Sequence, residues 1–186
     1  MDDQKAAPEL SLLLQMLDEG YDAPAWHGPN LRGSIRRIGA GEAAWRPGDG
    51  QHNVWEIVVH AAYWKYVVWR RLRGEKRGGF PRKGSDWFVC PAVDAVMSAA
   101  AAAKAWKADV ALLDEMHRKL HAAIAQMTPD DLHKVASGRM NNVAFVRGVA
   151  AHDVYHAGQI QTLRQLYRRA AKGAAGEAEA TETAGN

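Results

Sequence analysis

Phe145, Val149, His152, His156, Ile160 and Leu163 recur at steps of three and four residues, the period of one face of an α-helix. No other feature constrains the fold as tightly. A stripe of that length has to be buried against other helices, and two of its members are histidines. Three more stretches carry the same period. Leu10, Leu13, Leu14 and Leu17 mark a helix from Pro8 to about Glu19, and Ile57, Ala61, Trp64, Val68 and Leu72 mark one from Val54 to about Arg73. Val110, Leu113, Leu120, Ile124 and Met127 mark a third from about Ala92 to Met127; the fourth runs from about Asn142 to Lys172. No segment alternates apolar and polar residues with the β-branched enrichment a strand needs. The expected architecture is all-α, a four-helix bundle.

The punctuation agrees. Asn53 is a good N-cap for the second helix, and Glu56 three residues later completes a capping-box pattern. The stretch Pro24 to Asn30 breaks the first helix, which resumes from Leu31 to Ile38. A loop from Gly39 to Gln51 has room for one turn at Glu42 to Trp45. Thr128, Pro129, Asp130 and Asp131 open a short extra helix. Gly74 to Pro91 holds four glycines and two prolines, yet also Phe80, Trp87 and Phe88. A long loop with that aromatic content is expected to be ordered and packed over one end of the bundle. Gly173 suits the end of the last helix. Residues 1–172 then form one domain, and 173–186, rich in Ala, Gly, Glu and Thr, a disordered tail.

Composition excludes several classes. With 186 residues, 47% hydrophobic and 24% charged, the chain is an ordinary globular domain rather than a fibre or a disordered polymer. The single cysteine, Cys90, forms no intrachain disulfide and reads as packing. The start MDDQKAAPEL lacks the apolar core of a signal peptide, and no run of 18 apolar residues is long enough to cross a membrane. A cytoplasmic location is the expectation. Between residues 65 and 83, Lys65, Arg70, Arg71, Arg73, Lys76, Arg77, Arg82 and Lys83 face Glu75 alone. We read this run as a solvated helix end. Nucleic acid is not the expected partner; an anionic small molecule drawn to this rim is the better fit.

His152 and His156, at i and i+4, share one face of the last helix. His60 lies beside the inner stripe of the second. If those two helices are neighbours at matching height, three imidazoles converge and leave a further coordination position open, as in catalytic rather than structural metal sites. Spacing alone does not choose this pair, because His117 and His121 repeat it. His117 sits on the stripe of the third helix and His121 flanks it, among Asp114, Glu115, Arg118 and Lys119. That pair reads as structural, with His117 lining the same cavity as the others. Glu56 is a partner for the free nitrogen of His60 or, preferably, half of the capping box. Gln159 either orients a ligand or bound water, or bonds between helices. Tyr63 and Tyr155 either donate to a bound ligand or, more simply, pack. Asp153, off the stripe, is read as a surface residue, His52 as an exposed loop residue, and Trp55 and Trp69 as a dimer face or loop contact. Glu-x-x-His, His-Glu-x-x-His, P-loop and Gly-x-Ser-x-Gly patterns are all absent.

Two segments together resemble a known family: Asn53-Val54-Trp55-Glu56-Ile57-Val58-Val59-His60-Ala61-Ala62-Tyr63-Trp64, and Ala151-His152-Asp153-Val154-Tyr155-His156-Ala157-Gly158-Gln159-Ile160. They are similar to the DinB-like damage-inducible bacterial proteins, which are distinct from the polymerase of similar name. Trp26 to Leu31 and Gly79 to Pro81 resemble one branch of it. The resemblance implies an up-down-down-up four-helix bundle, often dimeric, with a divalent metal such as Zn, Ni or Fe on His60, His152 and His156. For some relatives it implies a low-molecular-weight thiol transferred to a small, electrophilic substrate. A thiol transferase or hydrolase is the function expected on this basis. The alternative is a non-catalytic metal- or ligand-binding protein of the stress response, or a dimerisation module. Many members carry Arg where this chain has Ala157, so any substrate contact made by that Arg is missing here.

Overall fold

The computed structural model describes residues 7–90 and 97–184. Four long helices, α1 (Pro8–Tyr21), α4 (Val54–Leu72), α5 (Ala99–Ala125) and α7 (Asn142–Ala184), form the bundle. The short helices α2 (Leu31–Ser34) and α3 (Ala40–Ala44) lie between α1 and α4, and α6 (Pro129–His133) follows α5. A hairpin of β1 (Val135–Ser137) and β2 (Met140–Asn141) precedes α7. Strands this short leave no alternating pattern in the sequence.

The register of the helices can be walked through their contacts. Trp55 of α4 meets Trp106 and Asp109 of α5, and ten residues on Lys65 meets His117, so α4 and α5 run in parallel. His60 meets His156 while Arg71 lies over Phe145, so α7 runs against α4. Tyr21 stacks on His117 while Asp18, three residues earlier, reaches His121 as well as His117, so α1 runs against α5. The bundle is therefore up-down-down-up. Its two parallel members require a long crossover, which residues 73–98 supply. Gly20 lets α1 lie close to α7: a Cβ there would stand 2.9 Å from the carbonyl oxygen of Ala150.

Two apolar clusters fill the interior. One, around Trp55, Trp106, Leu113 and Ile160, occupies the end where α4 and α5 begin; the other, around Leu17, Ile124, Leu132 and Val146, occupies the opposite end. Along α5 the change of cluster falls between Met116 and Leu120, which bracket His117. Along α7 it falls between Ala150 and Ile160, which bracket His152, Asp153 and His156. The bundle thus carries a polar layer between two apolar ones.

Local chemistry explains the boundaries. The Asn53 side chain accepts from the Glu56 amide at 2.9 Å and caps α4. The reciprocal half of the capping box is not formed, because Arg46 and His52 hold the Glu56 carboxylate instead. Ser98 caps α5 by accepting from the Ala101 amide; the expected start near Ala92 lies outside the described residues. Thr128 and Asp131 form a full capping box on α6. The backbone of α7 continues to Ala184, past the expected stop at Gly173. One glycine costs a helix only about 1 kcal/mol, and Ala and Glu on either side favour propagation.

Three sequence readings are corrected. Asp153 and Lys65 are fully buried and paired with each other rather than solvated. Trp55 is fully buried, donating its indole N–H to Asp109 Oδ2 at 2.7 Å. All three errors share a cause. A single stripe was assigned to each helix, but α4 is covered by α5, α7 and the crossover, and α7 by α1, α2 and α4. Each therefore buries a wider arc than one stripe.

Candidate metal centre

His60, on α4, and His152 and His156, on α7, are brought together by the antiparallel register just described. Each offers a ring nitrogen, and these donors lie within 4.8 Å of one another. His60 Nε2 is 3.1 Å from His152 Nε2, which is 3.0 Å from His156 Nε2. Three nitrogens at about 2.0–2.1 Å from a tetrahedral ion would stand roughly 3.3–3.4 Å apart, so these two spacings need only a few tenths of an ångström of expansion. Among the described residues this is the one group of three or more His, Cys, Asp or Glu donors close enough to share an ion.

The tautomers suit such a role. His60 Nδ1–H donates to the Asp86 carbonyl oxygen at 2.8 Å, and His156 Nδ1–H donates to Gln159 Oε1 at 2.6 Å. Both rings therefore present an unprotonated Nε2. His152 stands between two lone pairs and has one Nε2 hydrogen at most, which satisfies only one of them. Its own Nδ1 is buried with no hydrogen-bond partner. A cation among the three nitrogens removes that conflict. Metal-bound histidines ordinarily fix the second ring nitrogen on a carbonyl or carboxylate, and two of these three do so.

Burial keeps the rings neutral. It pushes His152 down to about 3 and His156 to about 4, and it also lowers His60. The proximity of the other rings adds to the shift of His152. At neutral pH all three are in the form that binds metal, and no proton has to leave first.

The crossover closes one side. Trp87 stacks on His60 at 3.9 Å between ring centroids, and on its other face His52 stacks at 3.5 Å. His52 in turn bonds Glu56 at 3.0 Å, and Glu56 is paired with Arg46. Trp64 donates to Asp86 Oδ1 at 2.9 Å. Asp86 adopts φ 63°, a left-handed conformation that Asp tolerates better than most residues, and this aims its carbonyl at His60. Phe80, Trp87 and Phe88 of this loop pack against the first apolar cluster, as expected. On the other side, an apolar cleft of about 300 Å³ reaches His152; Trp64, Val68, Phe145 and Val149 line it, with Arg71 on its wall.

The remaining candidates divide. Gln159 touches the site, through His156. Glu56 reaches it only by way of His52 and Trp87 and does not bond His60. Tyr63 packs against Phe80 and Phe88, away from the cluster. Tyr155 is exposed and accepts from Gln159 Nε2 at 3.0 Å. His117 does not line this cavity: it stacks on Tyr21 and faces Lys65. Asp86 and Trp87 were not anticipated, since a loop of glycines and prolines carries no periodicity to place them. Cys90 accepts from Asn53 Nδ2, and burial pushes its thiol up, as a packing residue requires. The basic run is partly turned inward, with Arg82 on Asp109 and Lys65 on Asp153, while Arg73 pairs with Glu75 at the surface.

A family model described as the DinB superfamily matches residues 25–160, which include all three histidines. No curated protein and no solved structure matches the chain.

Proposed function

The chain belongs to the DinB superfamily, and from this membership and the imidazole cluster we propose a divalent-metal-dependent enzyme. His60, His152 and His156 would hold the ion, and a thiol or water would attack a small electrophilic or anionic substrate. The observation that carries the reading is the prior commitment of His60 Nδ1 and His156 Nδ1 to oxygen acceptors, which leaves their Nε2 lone pairs aimed at one point. A bound divalent ion would lower the pKa of a coordinated thiol or water and act as a Lewis acid.

The protein's own groups supply the rest. Gln159 and the Asp86 carbonyl hold the ring planes of His156 and His60. Trp87 covers the His60 face and keeps bulk water off it. The cleft beside His152 receives the apolar part of a substrate, and Arg71 on its wall suits an anionic group. Three imidazoles are compatible with Zn, Ni or Fe, and a low-molecular-weight thiol is the co-substrate we favour. A second reading, metal binding without turnover, is favoured by one feature. Among the described residues, neither Tyr63 nor Glu56 points at the cluster to act as acid or base.

The test is metal content per chain by elemental analysis of untagged protein purified without chelator, for the native chain, His156→Ala and His121→Ala. About one ion per chain is expected in the native and His121→Ala proteins and none in His156→Ala. Absence of metal in the native protein, and no uptake of added Zn or Ni, would overturn both readings. Metal retained without thiol-dependent turnover across a panel of electrophiles selects the second.

A further inference from the structure

A second concavity, of about 600 Å³, lies where the broken first helix meets α7, and it shares no lining residue with the metal centre. Arg32, Arg36, Arg37 and Arg164 line it, against one carboxylate, Asp22. The four guanidinium groups are of two kinds. Arg32 is tied through Nε to Asp114 Oδ1 at 2.8 Å. Arg164 is tied through Nε to Glu42 and through Nη1 to the Ser34 carbonyl oxygen at 3.0 Å. In both, the tether leaves terminal N–H donors unused, so each guanidinium is held in place with hydrogen bonds to spare. Arg36 and Arg37 are exposed, and neither guanidinium has a hydrogen-bond or ion-pair partner among the described residues. Arg37 also sits at φ 66°, a conformation a long side chain seldom adopts.

Asp114 and Glu42 offset Arg32 and Arg164, which leaves Arg36 and Arg37 as the unpaired cations of a hollow whose lining holds one carboxylate, Asp22. The complementary occupant is an anion, presented as a planar or tetrahedral set of oxygens that guanidinium forks can grip. The loop before Asn30 adds a second indication. Pro24, Ala25, Gly28 and Pro29 line the hollow, and Trp26, in the same loop but outside the lining, is wholly solvent-exposed at 102%. Asn30 holds this loop by donating to the Ala23 carbonyl oxygen at 2.8 Å. An ordered loop carrying a large, unpacked indole is suited to stacking on a ring brought by a ligand. We propose that this hollow is a binding site for a small phosphorylated molecule of the nucleoside diphosphate type, its phosphates on the four arginines and its ring on Trp26. The charges gather in one concavity instead of spreading along a face, which favours a small ligand over a nucleic acid strand.

Calorimetric titration with inorganic pyrophosphate, ADP and a single-stranded oligonucleotide tests this, with indole fluorescence as a second readout. Saturable binding of one ADP per chain is expected, weakened at least about tenfold in Arg36→Ala/Arg37→Ala. These side chains are exposed and unpaired, so their removal leaves the fold intact. Trp26→Ala should weaken ADP but not pyrophosphate. His156→Ala should bind ADP as the native chain does, which separates this site from the metal centre. Three outcomes would overturn the proposal: no saturable binding of either phosphate; an equal loss in Lys76→Ala/Arg77→Ala, which would mark nonspecific attraction; or tighter binding of the oligonucleotide than of ADP.

Discussion

The chain contains the same local arrangement twice, and only one copy becomes a candidate metal centre. His152 and His156 on α7, and His117 and His121 on α5, are both i, i+4 pairs on inward-facing or shoulder positions. In the first pair the ring centroids are 4.3 Å apart and the Nε2 atoms 3.0 Å apart. In the second, the centroids are 6.3 Å apart. There Tyr21 stacks on His117 at 3.8 Å, and Asp18 lies 3.5 Å from His117 Nε2 and 3.4 Å from His121 Nε2. The decisive difference is what α4 presents to each pair. To α7 it presents His60, a third neutral donor. To His117 it presents, five residues later, Lys65, whose ammonium sits 3.5 Å from Nδ1. A fixed positive charge there repels a second cation, while a third imidazole invites one. An i, i+4 pair is thus a half-site, and the facing helix decides what it becomes.

The comparison can be broken most sharply at the ligands. His60→Ala is expected to empty the site, from about one bound ion per chain to none, while His117→Ala leaves occupancy unchanged; metal analysis of the two proteins side by side checks this. If His117→Ala also loses metal, the two pairs are not distinct.

Lys65→Met comes next. It leaves the fully buried Asp153 without its partner, which costs about 3–5 kcal/mol in denaturant unfolding. Burial already pushes the Asp153 carboxyl up to about 6, against the pull of Lys65. Lys65→Met/Asp153→Leu should recover most of the loss, because apolar replacement of a buried pair is often neutral.

The pH dependence sharpens the contrast further. Burial first, then Lys65, pushes His117 down to about 3, below its ordinary value of 6.5. Asp18 nearby does not outweigh them. A base with a depressed folded-state pKa contributes stability above the unfolded-state value and loses it as pH falls toward the folded one. Stability should therefore decline from pH 6.5 downward, by about 2 kcal/mol at pH 5 from this residue. His117→Phe, which preserves the stack on Tyr21, should flatten that decline in urea titrations at the two pH values.

The smallest expected effect is that of Gln159→Ala, which frees the His156 ring. Metal affinity should fall about tenfold with little change in stability, measured by competition with a chromophoric chelator. An unchanged affinity would mean that Gln159 merely bonds Tyr155.

The four long helices were legible because each has a stripe of period 3.6, and the caps at Asn53 and Thr128 were legible from residue type. The inward direction of His152 and His156 was legible too, since they lie on the stripe of Phe145 and Ile160. Asp153 and Lys65 were not. Each falls off the single stripe drawn for its helix, and only the wide arcs that α4 and α7 bury put them inside. The clasp of Asp86 and Trp87 on His60 was hidden for another reason. It is built by an aperiodic crossover whose path is set by where its aromatic residues find cover.

By itself, the sequence determined the helices, their inner faces and the presence of two histidine pairs, because these depend on local periodicity and side-chain type. Spacing left those pairs equivalent, and the residues around them and the family resemblance singled out His152 and His156 with His60. The tertiary structure supplies the geometric reason, since the identity of the residue across the bundle depends on the relative height of α4 and α7. That height is a sum of packing contacts along both helices, including the approach that Gly20 permits, and no local window of sequence contains it.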